Sequence, residues 1–145
     1  MVRSKNGFTL PKLLVVLVII SVLAAIAIPN FIALHNRSYE GSTKANMHTI
    51  QLAIEDYGVR NNGMYPGSSD ALRREAAEHE YPINIRNPFT AQPDTVEFRT
   101  GEPKLDDTFP KGQVIVYVQG GGANYMVFGG NKDSESFGLV LTSEQ

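Results

Sequence analysis

The side chains that could perform chemistry are few and scattered in this sequence. The histidines His35, His48 and His79 lie more than a helical turn apart, and none has a second ligand at the spacing of a zinc site. Glu78 and Glu80 flank His79, but neighbouring residues of a helix point about 100 degrees apart and do not converge. The chain has no cysteine, which excludes disulfides, thiolate metal sites and thiol nucleophiles.

Other patterns that often accompany catalysis are also weak. No serine, histidine and acid are spaced so that they suggest a triad, and Asp106 and Asp107 lie in a turn-rich segment before Pro110. Residues 120–122 are three glycines between two candidate strands. No helix follows them, whereas phosphate-binding loops use a helix N-terminus, so we expect a hairpin loop. We predict that the chain is not an enzyme.

The best candidate for a ligand site is the oxygen-rich segment 131–136. Its side chains Asp133, Ser134 and Glu135 carry oxygen ligands of the kind that Ca²⁺ prefers. Lys132 interrupts the segment, and a plain polar hairpin is the alternative. We therefore expect no cofactor, with calcium as the single candidate ligand.

The composition predicts one globular domain with appendages. The chain has 145 residues, of which 42% are hydrophobic and 19% charged, and this usage argues against disorder. The formal net charge is -2, and no predicted face carries a cluster of basic residues. We expect no nucleic-acid partner.

A long apolar run lies near the N-terminus. Its only polar member between residues 13 and 28 is Ser21, and extended back to Leu10 it approaches the roughly 20 residues that a helix needs to cross a bilayer. Basic residues precede the run and the next one is Arg37, which favours a cytoplasmic N-terminus. These preceding residues are Arg3, Lys5 and Lys12.

Two ordinary interpretations of this run stay open. One is a secretory signal peptide, with small residues at 25 and 27 as a cleavage site. The other is an uncleaved signal anchor on an unrelated domain. Either would make the chain an exported or membrane-anchored binding module.

The sequence of the N-terminal segment resembles the class III signal of type IV pilins and type II secretion pseudopilins. The features that carry the resemblance are the short polar leader 1–7, the sequence Gly-Phe-Thr-Leu at 7–10 and the sequence Leu-Ala-Ala-Ile-Ala-Ile-Pro-Asn-Phe at 23–31. The resemblance implies cleavage after Gly7 by a prepilin peptidase and N-methylation of Phe8. It also implies three regions: a leader 1–7, a transmembrane and assembly helix 8–29 and a globular pilin head 30–145.

The implied function is that of a structural subunit of a type IV pilus-like filament or of a type II secretion pseudopilus, assembled through the hydrophobic helix. The expected partners are other pilins or pseudopilins in a homo- or hetero-polymer, the prepilin peptidase, an inner-membrane assembly platform and membrane lipid. The expected location is the bacterial inner membrane, with a single pass, and then a periplasmic or cell-surface filament.

Two positions of the helix bear on assembly. Lys12 stands where the family usually has glutamate, and a lysine adds a cation where a carboxylate would offset a neighbour's N-terminal amine. This departure predicts a minor or tip subunit, or an engineered or divergent variant with impaired polymerisation. It also weakens the expectation that Phe8 is methylated. Pro29 lacks a backbone N–H and is expected to kink the helix.

Further resemblance favours the pseudopilin branch slightly. Tyr-Pro at 65–66, Asn-Pro-Phe at 87–89 and the glycine-flanked C-terminal strands are similar to the major pseudopilin of type II secretion. Major pseudopilins also carry a calcium site in a loop equivalent to 131–136. Without cysteine, the disulfide-closed loop of many type IVa pilins is impossible.

Periodicity predicts the head. Apolar residues at 47, 50, 54 and 57 form one helical stripe up to about Arg60. A short helix is expected through about Glu78, with Ser69 or Asp70 as its N-cap. Strands are expected at 95–99, 113–118, 124–128 and 137–141, joined as an antiparallel meander. The predicted fold is α+β and pilin-like: a long N-terminal helix, with a transmembrane and an amphipathic half, packed on a small antiparallel β-sheet.

Overall fold

The computed structural model describes residues 9–79, 83–93, 96–137 and 140–143. The chain forms two compact units, Met1–Asn36 and Arg37–Gln145. The first helix, α1 (Leu10–Arg60), contributes residues to both units. The predicted long N-terminal helix is therefore confirmed.

In the first unit, α1 exposes its apolar side chains. Its large hydrophobic residues are about half exposed or more, from Val16 at 46% to Leu10 at 72%. Ser21 satisfies its hydroxyl within the helix by donating to the carbonyl oxygen of Leu17 at 2.8 Å. The helix continues through Pro29 without interruption. The kink expected at Pro29 stays a prediction.

In the second unit, the remainder of α1 buries one stripe of side chains. Met47, Ile50 and Ile54 are fully buried, as the three- and four-residue spacing predicts. The helix ends in a turn in which Asn62 and Gly63 have left-handed backbone conformations, with φ of 57° and 80°. Proteins commonly end helices in this way.

The second helix, α2 (Ser69–Glu78), confirms the short helix predicted from the sequence. Its N-cap is Ser68, whose hydroxyl accepts a hydrogen bond from the Ala71 amide at 3.2 Å. The cap thus lies one residue before the predicted positions. Leu72 and Ala76 turn inward and join the core.

Within the described residues, four strands form one sheet in the order β1-β2-β3-β4. They are β1 (Val96–Thr100), β2 (Val114–Gln119), β3 (Asn124–Gly129) and β4 (Leu141–Thr142). Strands β2 and β3 are antiparallel and are joined by a hairpin whose glycines, Gly120, Gly121 and Gly122, have φ of 58°, 67° and 102°. Glycine adopts this backbone region without steric cost, which confirms the hairpin prediction.

The predicted antiparallel meander is wrong at one pair. Strand β1 runs parallel to β2, with Val96 opposite Val114 and Phe98 opposite Val116, so the sheet is mixed. A parallel pair needs a crossover of a dozen or more residues, and segment 101–113 supplies it. Strand β4 is also shorter than predicted; Phe137 precedes it as a buried core residue, and residues 138–139 lie outside the described part of the chain.

The sheet is covered on both faces. On one face, Val114, Val116 and Val127 pack with the α1 stripe and with Leu72. On the other face, Ile115, Tyr117 and Phe128 form a second cluster with Phe109 from the crossover. Strand β2 lies between β1 and β3 and is buried on both sides, because residues 114–118 are all buried.

Candidate functional site: the amino-terminal helix

The residues with an expected role in processing begin the candidate site. Gly7 and Phe8 lie outside the described residues, so their predicted roles stay predictions. Thr9 comes directly before α1, and its carbonyl oxygen accepts from the amides of Lys12 and Leu13 at 3.0 and 3.3 Å. Pro11 lies in this first turn, where a missing N–H leaves no helical bond unmade.

The charge distribution of this helix is one-sided. Lys12 is the only Lys, Arg, Asp or Glu among described residues 9–36, and its side chain is exposed. The helix has no acidic residue in its first turn, and the sequence has none before Glu40. Lys12 lies beside Pro11, Val15 and Val16, which together line a shallow apolar hollow.

One helix in the described part of the chain, α1, is long and apolar enough to cross a membrane. Its most apolar window has none of its residues buried within the protein. A core helix of a soluble domain would bury such a stretch, whereas an exposed apolar surface of this kind is typical of a segment that contacts lipid or other helices.

The candidate calcium ligands lie in a hydrogen-bonded loop. The Asn131 side-chain oxygen accepts from the amides of Asp133 and Glu135, at 2.8 and 3.0 Å. The Lys132 ammonium forms an ion pair with Asp133, while its amide donates to Glu40 at 3.3 Å. Ser134 has a left-handed φ of 65°. Both Asp133 and Glu135 are exposed. Calcium binding by this loop stays a prediction.

The histidines lie apart, and each has separate surroundings. His35 packs edge-on against Phe31, with ring centroids 4.8 Å apart. His48 is exposed on α1. His79, at the end of α2, has Nε2 at 3.3 Å from Glu75 and Nδ1 at 3.4 Å from the Arg60 guanidinium. Among the described residues, no three His, Asp or Glu side chains form a group that could hold a metal ion.

A polar network in the head was missed by sequence reasoning. The buried Tyr117 donates its hydroxyl to Asp107 at 2.5 Å and accepts from Arg99 at 3.0 Å. Arg99 also donates to Glu97 at 2.7 Å, and Gln113 donates to the second oxygen of Glu97 at 3.2 Å. The network joins the crossover to β1 and β2, so its role is structural.

The network shifts the pKa values of its members. The hydrogen bond from Tyr117 and the one from the Lys104 amide lower the pKa of Asp107, because both stabilise the carboxylate. Burial raises the pKa of Tyr117, and its bond to Asp107 adds to this shift. The bond to Glu97 raises the pKa of Arg99, which keeps the guanidinium charged.

A second buried hydroxyl lies on the opposite face of the sheet. Tyr125 donates to the Glu55 carboxylate of α1, and its ring meets that of Tyr65 edge-on with centroids 4.7 Å apart. Burial, followed by this hydrogen bond, raises the pKa of Tyr125. The contact fixes α1 to β3.

Comparison with known proteins agrees with the helix as the functional element. Residues 2–28 match a family model described as a prokaryotic N-terminal methylation motif. The chain is 45% identical over 52 residues to the type IV major pilin protein PilA of Myxococcus xanthus, covering 36% of this chain and 24% of that protein. It is 37% identical over 70 residues to the type IV wide pilus major component PilA4 of Thermus thermophilus, covering 48% and 53%.

The chain is also similar to a protein of the type II secretion system. The chain is 25% identical over 84 residues to the type II secretion system core protein G of Klebsiella michiganensis, covering 58% of each protein. No solved structure matches the chain. The chain therefore spans between 24% and 58% of the length of these relatives. The resemblance to type IV pilins and type II secretion pseudopilins, predicted from the sequence, is confirmed by these matches.

Proposed function

We propose that the chain is a structural subunit of a type IV pilus-like filament or of a type II secretion pseudopilus, assembled through its hydrophobic N-terminal helix. The observation that carries this proposal is a methylation motif over residues 2–28 on a helix whose apolar surface is left uncovered. The burial of that surface between subunits would supply the main driving force for assembly, since the gain scales with the apolar area removed from water.

Processing is the first step of the proposed function. A prepilin peptidase cleaves after Gly7, and Phe8 becomes the N-methylated first residue of the mature chain. The apolar helix is retained, in contrast to a secretory signal peptide, which is removed. The match of the motif across residues 2–28 supports this step.

The proposed topology follows from the basic residues. Arg3, Lys5 and Lys12 precede the apolar run and Arg37 follows it, so the N-terminus lies in the cytoplasm. The chain then crosses the inner membrane once, and the head lies outside it. Before assembly, the long stem of Lys12 lets its ammonium reach the interface.

Assembly requires other proteins. The proposed partners are further pilins or pseudopilins, an inner-membrane assembly platform and lipid, whereas nucleic acid is no expected partner. The subunit itself performs no catalysis and acts by packing. The named relatives include two major pilins and a secretion core protein, so the proposal covers both kinds of filament.

Lys12 indicates where in a filament the subunit would be placed. A lysine at the start of the apolar helix favours a minor or tip subunit, or a divergent variant that polymerises poorly, over an abundant homopolymer. When the chain is expressed as the sole pilin, the expected result is that Lys12→Glu increases the fraction recovered in filaments. An unchanged fraction would refute this assignment.

Fractionation of cells tests the filament proposal. Filaments sheared from the surface or recovered from the periplasm are separated from membranes, and the chain is followed by an antibody against its head. The wild-type chain is expected in the filament fraction, whereas Gly7→Leu, which blocks cleavage, is expected to stay in the membrane. Equal recovery of both forms outside filaments would contradict the proposal.

Calcium is a subsidiary part of the proposal. Asp133, Ser134 and Glu135 are its candidate ligands, and Lys132 competes for Asp133. Calorimetric titration of the chain with CaCl₂ tests it, with a matched chain carrying Asp133→Asn and Glu135→Gln as the control. A heat of binding that is seen with the wild type and not with the control supports the calcium site. If the wild type gives no heat of binding, the calcium site is refuted.

A further inference from the structure

Lys12 is an isolated charge within an apolar surface. Among described residues 9–36 it is the only Lys, Arg, Asp or Glu. Val15 and Val16 beside it are 59% and 46% exposed. In a single lipid-embedded helix the ammonium can reach water at the interface. When another apolar helix covers this end of α1, that route to water closes.

Covering the ammonium has a consequence for the choice of partner. A charge in an apolar environment is costly unless an opposite charge with hydrogen bonds accompanies it. The sequence has no Asp or Glu before Glu40, so a second copy of this chain brings no carboxylate to this level. A second copy instead brings another Lys12, and like charges at short range repel.

We propose that the surface around Lys12, formed with Pro11, Val15 and Val16, binds the apolar helix of a different subunit that carries a carboxylate at the level of Lys12. This inference rests on the proposed function, since it names the neighbour that the helix meets in the assembly. The ion pair offsets the desolvation of Lys12, and the valines supply the apolar contact. The chain is then a component of a mixed filament at this contact.

A double-mutant cycle between two copies of the full-length chain tests the charge preference. Because the chain has no cysteine, Leu105→Cys at a fully exposed position provides a single site for a donor or acceptor dye. Labelled copies are reconstituted in neutral phosphatidylcholine vesicles, and association is measured by energy transfer. The copy carrying Lys12→Glu serves as the carboxylate-bearing probe.

The cycle compares four pairs: wild type with Lys12→Glu, wild type with Lys12→Gln, Lys12→Gln with Lys12→Glu, and Lys12→Gln with itself. Association of wild type with itself is measured alongside them. The expected coupling between lysine on one copy and glutamate on the other is about three- to tenfold in association, the range found for polar contacts between membrane helices. Glutamine matches glutamate in shape but is shorter than lysine, so the cycle is needed to cancel the effect that each substitution has alone.

The outcomes are separable from those of the filament test. No coupling, or association of wild type with itself as tight as with Lys12→Glu, overturns the inference. The chain can still be recovered in sheared filaments in that case, and the proposed function then stands. Absence of the chain from filaments overturns the proposed function whatever the vesicles show.

Discussion

Tyr117 holds together three segments of the head through one hydroxyl group. It is 2% exposed, donates to Asp107 of the crossover and accepts from Arg99 of β1. A buried hydroxyl with both of these partners is satisfied, and removing it leaves Asp107 and Arg99 with fewer hydrogen bonds. The network is thus a local determinant of head stability.

Replacement of Tyr117 by phenylalanine is expected to lower the free energy of unfolding by roughly 1–3 kcal/mol, because charged partners lose their hydrogen bonds while the ring remains packed. Urea denaturation of the full chain in detergent measures the change. Leu105→Ala, at a fully exposed position, is the control and is expected to change the free energy by less than about 0.5 kcal/mol. Equal effects of the two substitutions would contradict the role of the hydroxyl.

The Asp107 carboxylate gives the network a dependence on pH. Because its pKa is lower in the folded than in the unfolded chain, its contribution to stability is present above the unfolded value of about 3.9. That contribution is lost as the pH falls through the lower folded pKa. The difference in unfolding free energy between wild type and Asp107→Asn is expected to shrink from pH 7 to about pH 2.5. A difference that stays constant over this range would contradict the prediction.

At the scale of elements, α1 contains two glycines with opposite surroundings. A Cβ atom at Gly58 would lie 2.7 Å from the Tyr65 ring, whereas one at Gly41 would meet nothing within 4 Å. Both lie inside the helix, where glycine is less favourable than alanine by about 1 kcal/mol. Close packing against Tyr65 therefore explains glycine at 58 but not at 41.

These two glycines give a matched pair of substitutions in one helix. Gly41→Ala is expected to raise the free energy of unfolding by about 0.5–1 kcal/mol, through helix propensity. Gly58→Ala is expected to lower it, because the displacement of Tyr65 disturbs its contact with Tyr125. Thermal unfolding followed by circular dichroism measures both. A gain in stability for Gly58→Ala would show that the ring moves at little cost.

The sequence predicted the helices more accurately than the sheet. The stripe at Met47, Ile50 and Ile54 and the turn at 61–63 define the end of α1 by local periodicity and backbone preference. The direction of β1 depends on a non-local pairing that no local pattern determines. One signal was available: β2 is apolar on both faces, which is typical of a strand with a parallel neighbour, and segment 101–113 is long enough for a crossover.

The candidate site, like the helices, was predictable because it depends on local sequence. The apolar run, the leader and Lys12 are contiguous in the sequence, so their roles follow from local composition. The network of Tyr117, Asp107 and Arg99 was missed because it assembles only when the crossover folds over the sheet. From the sequence, Asp107 was placed only in a turn-rich segment before Pro110.

At the scale of the whole molecule, the two units differ in how far they bury their apolar side chains. The unit Arg37–Gln145 buries its apolar residues in two clusters around the sheet. The unit Met1–Asn36 leaves its apolar helix uncovered, so that a bilayer or neighbouring helices must provide its surroundings. This difference underlies the proposal that one segment serves first as an anchor and later as an assembly surface.

The most direct test is the N-terminal sequence and intact mass of the native chain isolated from filaments. The account predicts a mature protein that begins at Phe8 and retains the apolar helix, with the mass of one methyl group added if methylation proceeds despite Lys12. A mature protein that begins near Ile28 would contradict the account, because the helix would have been removed as a signal peptide. A chain that keeps Met1 would indicate a plain membrane anchor and would contradict it as well.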